Sequence, residues 1–332
     1  MYKIILDAMG GDNAPGEIIE GARLALNKFN DVYITFVGKK EVIDKFIKED
    51  MPRDRFGIVD AREEIEMAEP PVAAVRHKKD SSLVVGLDLV AKGSGDVFIT
   101  AGSTGATIAG ATLIVRRVNG VERPALAPVL PTTGNGVLLI DCGANVDCKP
   151  VYLQQFGIMG SVYMEMLMGV KNPRVGLINN GAEEEKGNTL TKEAFKLLSN
   201  TKDINFVGNV EGRDILLDSC DVAVCDGFVG NVVMKFLEGT AKALMKMLKD
   251  ELFASTRTKI GAALAKPAFS SFKKKMDYTE YGGALMLGVN AGVIKAHGSS
   301  NANAIMNAIG QARSFAEGKV VEKIKERIER SL

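Results

Sequence analysis

Lys3-Ile4-Ile5-Leu6-Asp7-Ala8-Met9-Gly10-Gly11-Asp12-Asn13-Ala14-Pro15 is the stretch on which the fold turns. An unbroken apolar run meets a polar turn with a glycine pair. Pro15 then opens a helix expected over Ala14–Phe29, in which Ile18, Ile19, Ala22, Leu26 and Phe29 recur at helical spacing. A strand that is apolar without alternation is buried on both faces, as parallel strands are. Strand, tight turn and helix together form the first half of a βαβ unit. The glycines also leave bare backbone N–H groups beside the positive end of a helix, a geometry that holds anions.

The same grammar repeats outward along the chain. Strands are expected at Tyr2–Leu6, Val32–Val37, Phe56–Val59, Val97–Ile99, Val137–Ile140, Arg174–Ile178, Asn205–Val207 and Val222–Val224, with helices between them. This predicts an α/β fold around a largely parallel sheet, one compact unit without repeats or long linkers. Small-residue turns fall where such sheets bind ligands, at the carboxyl ends of strands. They are Asp7–Asp12, Thr100–Ala106, Asp141–Asn145, Asn179–Asn188, Asp226–Asn231, and Tyr281–Gly283 with His297–Ser300 downstream. A single glycine turn usually solves only a tight bend, because glycine alone reaches positive φ cheaply. A set of them at strand ends points to a shared site.

Several classes are excluded. The 332 residues carry 42 Lys and Arg against 41 Asp and Glu, so no global field draws the chain to nucleic acid. Met1–Leu6 meets Asp7 too early for a signal peptide, and the uncharged stretch Val97–Val115 holds too much Gly, Ser and Thr for a membrane span. Cys142, Cys148, Cys220 and Cys225 fit neither a redox pair nor a zinc spacing and read as reduced thiols of a cytosolic protein. Nucleotide-loop, zinc-protease and serine-hydrolase fingerprints are absent, so neither metal nor cofactor is expected.

Taken in order, Asp7–Asp12 with Ala14-Pro15, Thr100–Ala106, Asp141–Asn145, Glu183–Gly187, Asp226–Asn231 and His297–Ser300 resemble the PlsX-type phosphate acyltransferases of bacterial phospholipid synthesis, and the resemblance spans the whole chain. It implies a three-layer α/β/α fold like that of the isocitrate and isopropylmalate dehydrogenases and the phosphotransacetylases, with residues 1–332 as one catalytic domain. It implies a homodimer that passes a long acyl chain from acyl carrier protein to inorganic phosphate, with coenzyme A thioesters as weaker donors. A membrane glycerol-3-phosphate acyltransferase would consume the acyl phosphate. Three positions depart from the family pattern: Ser103 stands for Asn, Ala182 for an acidic residue and Asp60 for His, the last bearing on any base assignment.

The chemistry suits these residues. Phosphate has a second pKa of about 6 to 7 and attacks a thioester without a Ser or Cys intermediate, so placement and charge neutralisation are the main requirements. Catalytic candidates are Lys186, Asn231, Lys235 and His297. Lys186 follows three glutamates and reads equally as a solvated turn; Lys235 shares a helix face with Asn231. His297 suits protonation of a thiolate, or a buried structural role. Candidates for holding phosphate or substrate are Asp7, Gly10, Gly11, Asp12, Ser103, Thr104, Gly105, Asp141, Asn145, Asn179, Gly187, Asp226, Gly227 and Gly230. The four aspartates cannot all face a dianion, so some must cap helices or orient lysines. An acyl-cysteine route through Cys142 or Cys225 is disfavoured, since buried strand-end thiols are inert.

From Leu252 to Lys275 no acidic residue occurs, while Arg257, Lys259, Lys266, Lys273, Lys274 and Lys275 surround Phe253, Ile260, Leu264, Phe269 and Phe272. A protruding basic amphipathic hairpin is expected over residues 238–276. It suits an anionic membrane surface, acidic carrier protein, a second subunit, or packing on its own chain. The protein is thus expected in the cytoplasm, peripherally on the inner face of the membrane. Rival readings are a decarboxylating dehydrogenase, for which no arginine cluster is visible, a membrane scaffold without chemistry, and a short-chain phosphotransacetylase, which has no reason to visit a membrane.

Overall fold

The computed structural model describes residues 1–275 and 281–331; Met276, the end of the expected hairpin, lies outside the described residues. The strands are β1 (Tyr2–Asp7), β2 (Val32–Gly38), β3 (Phe56–Asp60), β4 (Val97–Thr100), β5 (Ala125–Ala127), β6 (Val129–Leu130), β7 (Val137–Ile140), β8 (Arg174–Asn179), β9 (Asn205–Glu211), β10 (Val222–Val224), β11 (Ala284–Leu287) and β12 (Gly292–Lys295). The helices are α1 (Gly16–Lys28), α2 (Lys40–Ile43), α3 (Pro71–His77), α4 (Ser82–Ala91), α5 (Thr104–Gly110), α6 (Pro150–Leu167), α7 (Thr189–Ser199), α8 (Gly227–Leu252), α9 (Thr256–Leu264), α10 (Lys266–Lys275), α11 (Ala302–Glu317) and α12 (Val320–Ser331).

Every expected strand is present. The parallel pattern divides into two sheets, which local periodicity cannot show. Among the described residues a seven-stranded sheet runs β3-β2-β1-β4-β12-β11-β5 and a five-stranded sheet runs β6-β7-β10-β8-β9. Parallel pairing holds from β3 to β12 and from β7 to β9. Strands β11, β5 and β6 join antiparallel. The helix expected from Ala14 begins at Gly16, with Pro15 as its N-cap residue.

Strand alternation assigns each face a layer. On β1, Ile4 and Leu6 face a core shared with α1, α6 and α11, while Ile5 faces a second core under α4 and the π-helical turn Ala111–Val115. The shared core also takes Leu138, Val175 and Val222 from the smaller sheet: α6 packs on that sheet, α11 on the larger one, and the two helices meet, with α12 against α6. Each fully buried Leu, Ile or Phe there contributes roughly 1.5–3 kcal/mol. On the outer face of the smaller sheet lies the start of α8, through Val229, Val233, Met234 and Leu237. The rest of α8 continues into α9 and α10. The described part of the hairpin expected over residues 238–276 is the outward continuation of α8, which begins on the sheet at Gly227, turned back by two short helices.

Candidate active site

The expected turns gather into two groups, one at each sheet. In the first, Asp7 is buried at the end of β1. Its Oδ1 accepts the N–H groups of Met9 and Gly10, both at 3.1 Å, and its Oδ2 accepts the Thr100 hydroxyl at 2.7 Å. Thr100 Oγ1 accepts the Gly102 N–H at 2.9 Å. Asp7 therefore closes the first two turns, and burial pushes its carboxyl above the usual range. Gly11 sits at φ +107°, where a Cβ would lie 2.8 Å from that of Ala101, so only glycine lets the turns touch. The Asp12 N–H donates to Gly298 O at 2.8 Å and Asn13 Nδ2 to Ser299 O at 3.3 Å, adding the turn after β12 to the same rim. Asp12 and Thr104 are exposed. Ser103 is buried as the N-cap of α5, and Gly105 packs against Pro71.

The second group surrounds Asp141, which is fully buried. Its Oδ1 accepts from Leu126 N at 2.9 Å and Ala144 N at 3.2 Å; its Oδ2 accepts from Asn145 N at 2.6 Å and Asn145 Nδ2 at 3.0 Å. Burial raises this carboxyl too. Asn145 O accepts the Gly227 N–H at 2.7 Å, and Asp226 caps α8 by accepting Val229 N at 2.9 Å. Asp7 and Asp141 thus close turns and Asp226 caps α8. Asn179, Gly187, Asn188, Cys225 and Asp226 line a cavity of about 420 Å³ between the ends of β8 and β10. Asn179 Nδ2 donates to Lys186 O at 3.1 Å, and the Lys186 side chain is exposed.

Helix α8 joins the two groups. At 3.6 residues per turn, Asn231, Lys235, Glu238 and Lys242 form one stripe, with Glu238 about 10 Å along the axis from Asn231. The Glu238 Oε1 lies 3.9 Å from His297 Nε2, so the stripe meets the rim of the larger sheet. His297 Nδ1 accepts the Ser299 N–H at 3.2 Å and sits 2.8 Å from Ser299 Oγ. An acceptor at Nδ1 leaves the proton on Nε2, toward α8. His297 is 40% exposed, which removes the buried structural reading. Gly230 approaches so closely that a Cβ there would stand 1.9 Å from Asp141 O.

Lys295 escaped sequence reading. It ends β12, is 8% exposed, and donates to the carbonyls of Ala101, at 3.3 Å, and Ala296. Burial lowers its pKa to about 8 against the upward pull of Asp7 and Asp12. Its trace in the sequence is a lysine inside an otherwise apolar strand, Gly292-Val293-Ile294-Lys295. Asp60 lies apart, exposed at the end of β3; its carboxyl accepts the Lys40 N–H and the Arg62 guanidinium, which hold it below its usual range. Burial pushes the Cys142 and Cys225 thiols well up and Cys148 to about 12, against an acyl-cysteine route. Among the described residues no group of three or more His, Cys, Asp or Glu is placed to hold a metal.

On the hairpin, Phe253, Ile260, Leu264 and Phe272 are exposed, Leu264 at 81%. Phe269 lines a groove against α8. The side chains of Lys273, Lys274 and Lys275 lie outside the described ones. No helix among the described residues is long and apolar enough to cross a membrane.

A family model described as fatty acid synthesis protein matches residues 2–323. The phosphate acyltransferase of Thermoanaerobacterium thermosaccharolyticum is 50% identical over 327 residues, covering 98% of this chain and 97% of the relative. That of Clostridium botulinum strain Loch Maree is 52% identical over 322 residues, covering 97% and 96%. A phosphotransacetylase from Streptococcus pyogenes shares the fold with a TM-score of 0.64 at 16% identity, covering 95% of this chain and 94% of that one. A branched-chain phosphotransacylase from Enterococcus faecalis V583 does so at 0.56 and 14%, covering 95% and 99%.

Proposed function

The chain belongs to the fatty acid synthesis protein family, among its phosphate acyltransferases, and from that premise we propose that it moves a long-chain fatty acyl group from acyl carrier protein to inorganic phosphate for phospholipid synthesis. A phosphate oxygen attacks the thioester carbon, forming the C–O bond and a tetrahedral oxyanion, which collapses to the acyl phosphate as the C–S bond breaks. The proton lost by monohydrogen phosphate ends on the departing thiolate.

The observation that carries this reading is the α8 stripe: Asn231 stands against Gly143 of the second group of turns, Lys235 follows one helical turn on, and Glu238 lies beside His297 of the first. Asn231 and Lys235 are suited to the developing oxyanion and the dianion, with Lys186 as a further cation at the cavity mouth. His297, on taking up the proton that phosphate loses, is suited to hand it to the departing thiolate. The backbone turns around Gly10, Gly11, Asp12, Thr104, Asn179 and Gly187 are suited to hold phosphate. Exposed Ile260, Leu264 and Phe272 among basic residues support peripheral attachment to the cytoplasmic membrane surface, where a membrane glycerol-3-phosphate acyltransferase would receive the product. The exposed apolar residues Phe228, Val232, Phe236 and Met247 on α8 support a homodimer.

Purified protein given palmitoyl-acyl carrier protein and phosphate should release carrier thiol and form acyl phosphate. Asn231→Ala should retain the fold and lose on the order of 100-fold in kcat, the scale for one oxyanion donor. Thiol release independent of phosphate would sink the proposal.

A further inference from the structure

Helix α8 presents two apolar faces roughly opposite one another. One is the exposed stripe of Phe228, Val232, Phe236 and Met247. The other, through Leu237, Ala241, Met245, Leu248 and Leu252, is roofed by α9 and α10 to form a groove of about 990 Å³. Lysines from both sides stand along its edge, Lys242 and Lys266 among them. Their stems extend the apolar wall while their ammonium groups reach water.

From this geometry we propose that the groove holds the hydrocarbon chain of the acyl donor, an inference that rests on the phosphate acyl-transfer reading. The inner end is lined by Leu130, Pro131 and Glu238, and the Glu238 carboxylate is the group 3.9 Å from His297. A thioester set against the Asn231–Lys235–Glu238 stripe therefore has its chain directed along α8. From Leu237 to Phe253 the helix rises about 24 Å, more than the roughly 15 Å of one leaflet of a hydrocarbon core about 30 Å thick. The volume is at the upper end for small-molecule sites, which span about 300–1,000 Å³. The lining suits a saturated chain, since aliphatic and methionine side chains adapt to its contour and ask for no hydrogen bond. Each methylene drawn from water is expected to strengthen binding about fourfold. The hairpin tip, with exposed Ile260 and Leu264, lies at the outer end of the same assembly, where a chain would leave for lipid.

The test is an acyl-chain series from butyryl to palmitoyl on the same carrier protein, run with wild type, Ala241→Trp and Leu252→Trp. Wild type should show KM falling with chain length. Blocking the inner position should cut palmitoyl kcat/KM about sixtyfold, the factor lost with about three unburied methylenes, while the butyryl donor stays within twofold. Blocking the outer position should affect only the longest donors. Palmitoyl kinetics unchanged in both variants would overturn the groove assignment, as would a loss equal at every chain length. Dissociation of an oligomer with chain selectivity intact would also overturn it and make the groove an interface between copies. Wild type that is inactive with every donor would strike at the acyl-transfer reading itself.

Discussion

The two halves of α8 hold the same conformation by opposite means. Its first part, Gly227-Phe228-Val229-Gly230-Asn231-Val232-Val233, consists of poor helix formers, and it is helical because Asp226 caps it and Val229 and Val233 pack on the smaller sheet. Its second part, from Ala241 to Leu252, is rich in Ala, Leu, Met, Lys and Glu and is largely exposed. Propensity and the Lys242–Glu238 pair support it. Helix dictated by packing can be bent to a site's needs, while helix dictated by its own residues can project from the body. The strongest way to break this contrast is Gly230→Ala. In an unconstrained helix the change is worth about 1 kcal/mol in favour of alanine. Here the new Cβ would stand 1.9 Å from Asp141 O, so a loss of more than about 3 kcal/mol in urea denaturation is expected. A neutral result would show that the Asp141 turn yields to α8.

A smaller effect separates the body by its charge. Lys295 is buried with a pKa of about 8, below the unfolded value of 10.5. Between these values the unfolded chain binds a proton that the native chain does not, so native stability should rise with pH across that window and lose this gain as pH falls toward 8. From pH 7.5 to 9.5 the gain is about 2 kcal/mol relative to Lys295→Met, read as the difference between the two proteins' urea midpoints at each pH. Parallel pH profiles would mean that Lys295 stays charged and paired.

What could be read in advance followed the same division. The eight expected strands and the glycine turns were legible because buried parallel strands are continuous apolar runs and their turns need glycine. Strands β5, β6, β11 and β12 were not, being short segments whose pairing comes from partners far away in sequence, such as Leu285 opposite Ala127. The residues of the turns were legible, yet not their direction. Asp7 and Asp141 look outward in a motif and point inward in the fold, because each accepts, besides N–H groups of its own turn, a donor far away in sequence, the Thr100 hydroxyl for one and the Leu126 N–H for the other. Lys295 was hidden for the same reason, since its carbonyl partner Ala101 sits on another turn. The departure at Asp60 falls two strands from Asp7, where its carboxylate is taken up by Lys40 and Arg62.

The smallest effect tests the projecting half. Gly239 lies just beyond the packed part of α8, is exposed, and would meet nothing within 4 Å on gaining a Cβ. With no contact to oppose it, Gly239→Ala should stabilise the protein by about 0.5–1 kcal/mol, chiefly by reducing the freedom of the unfolded chain. The sign is the informative part. Gly239 stands about 20° around the helix from Phe228, between it and Val232 on the stripe that also bears Phe236. A gain independent of protein concentration would mean that this stripe faces water and that propensity alone governs here. A loss confined to higher concentrations, where a second copy is bound, would mean that a partner's surface lies against the glycine, placing self-association on the stripe and leaving the groove on the other face open to an acyl chain.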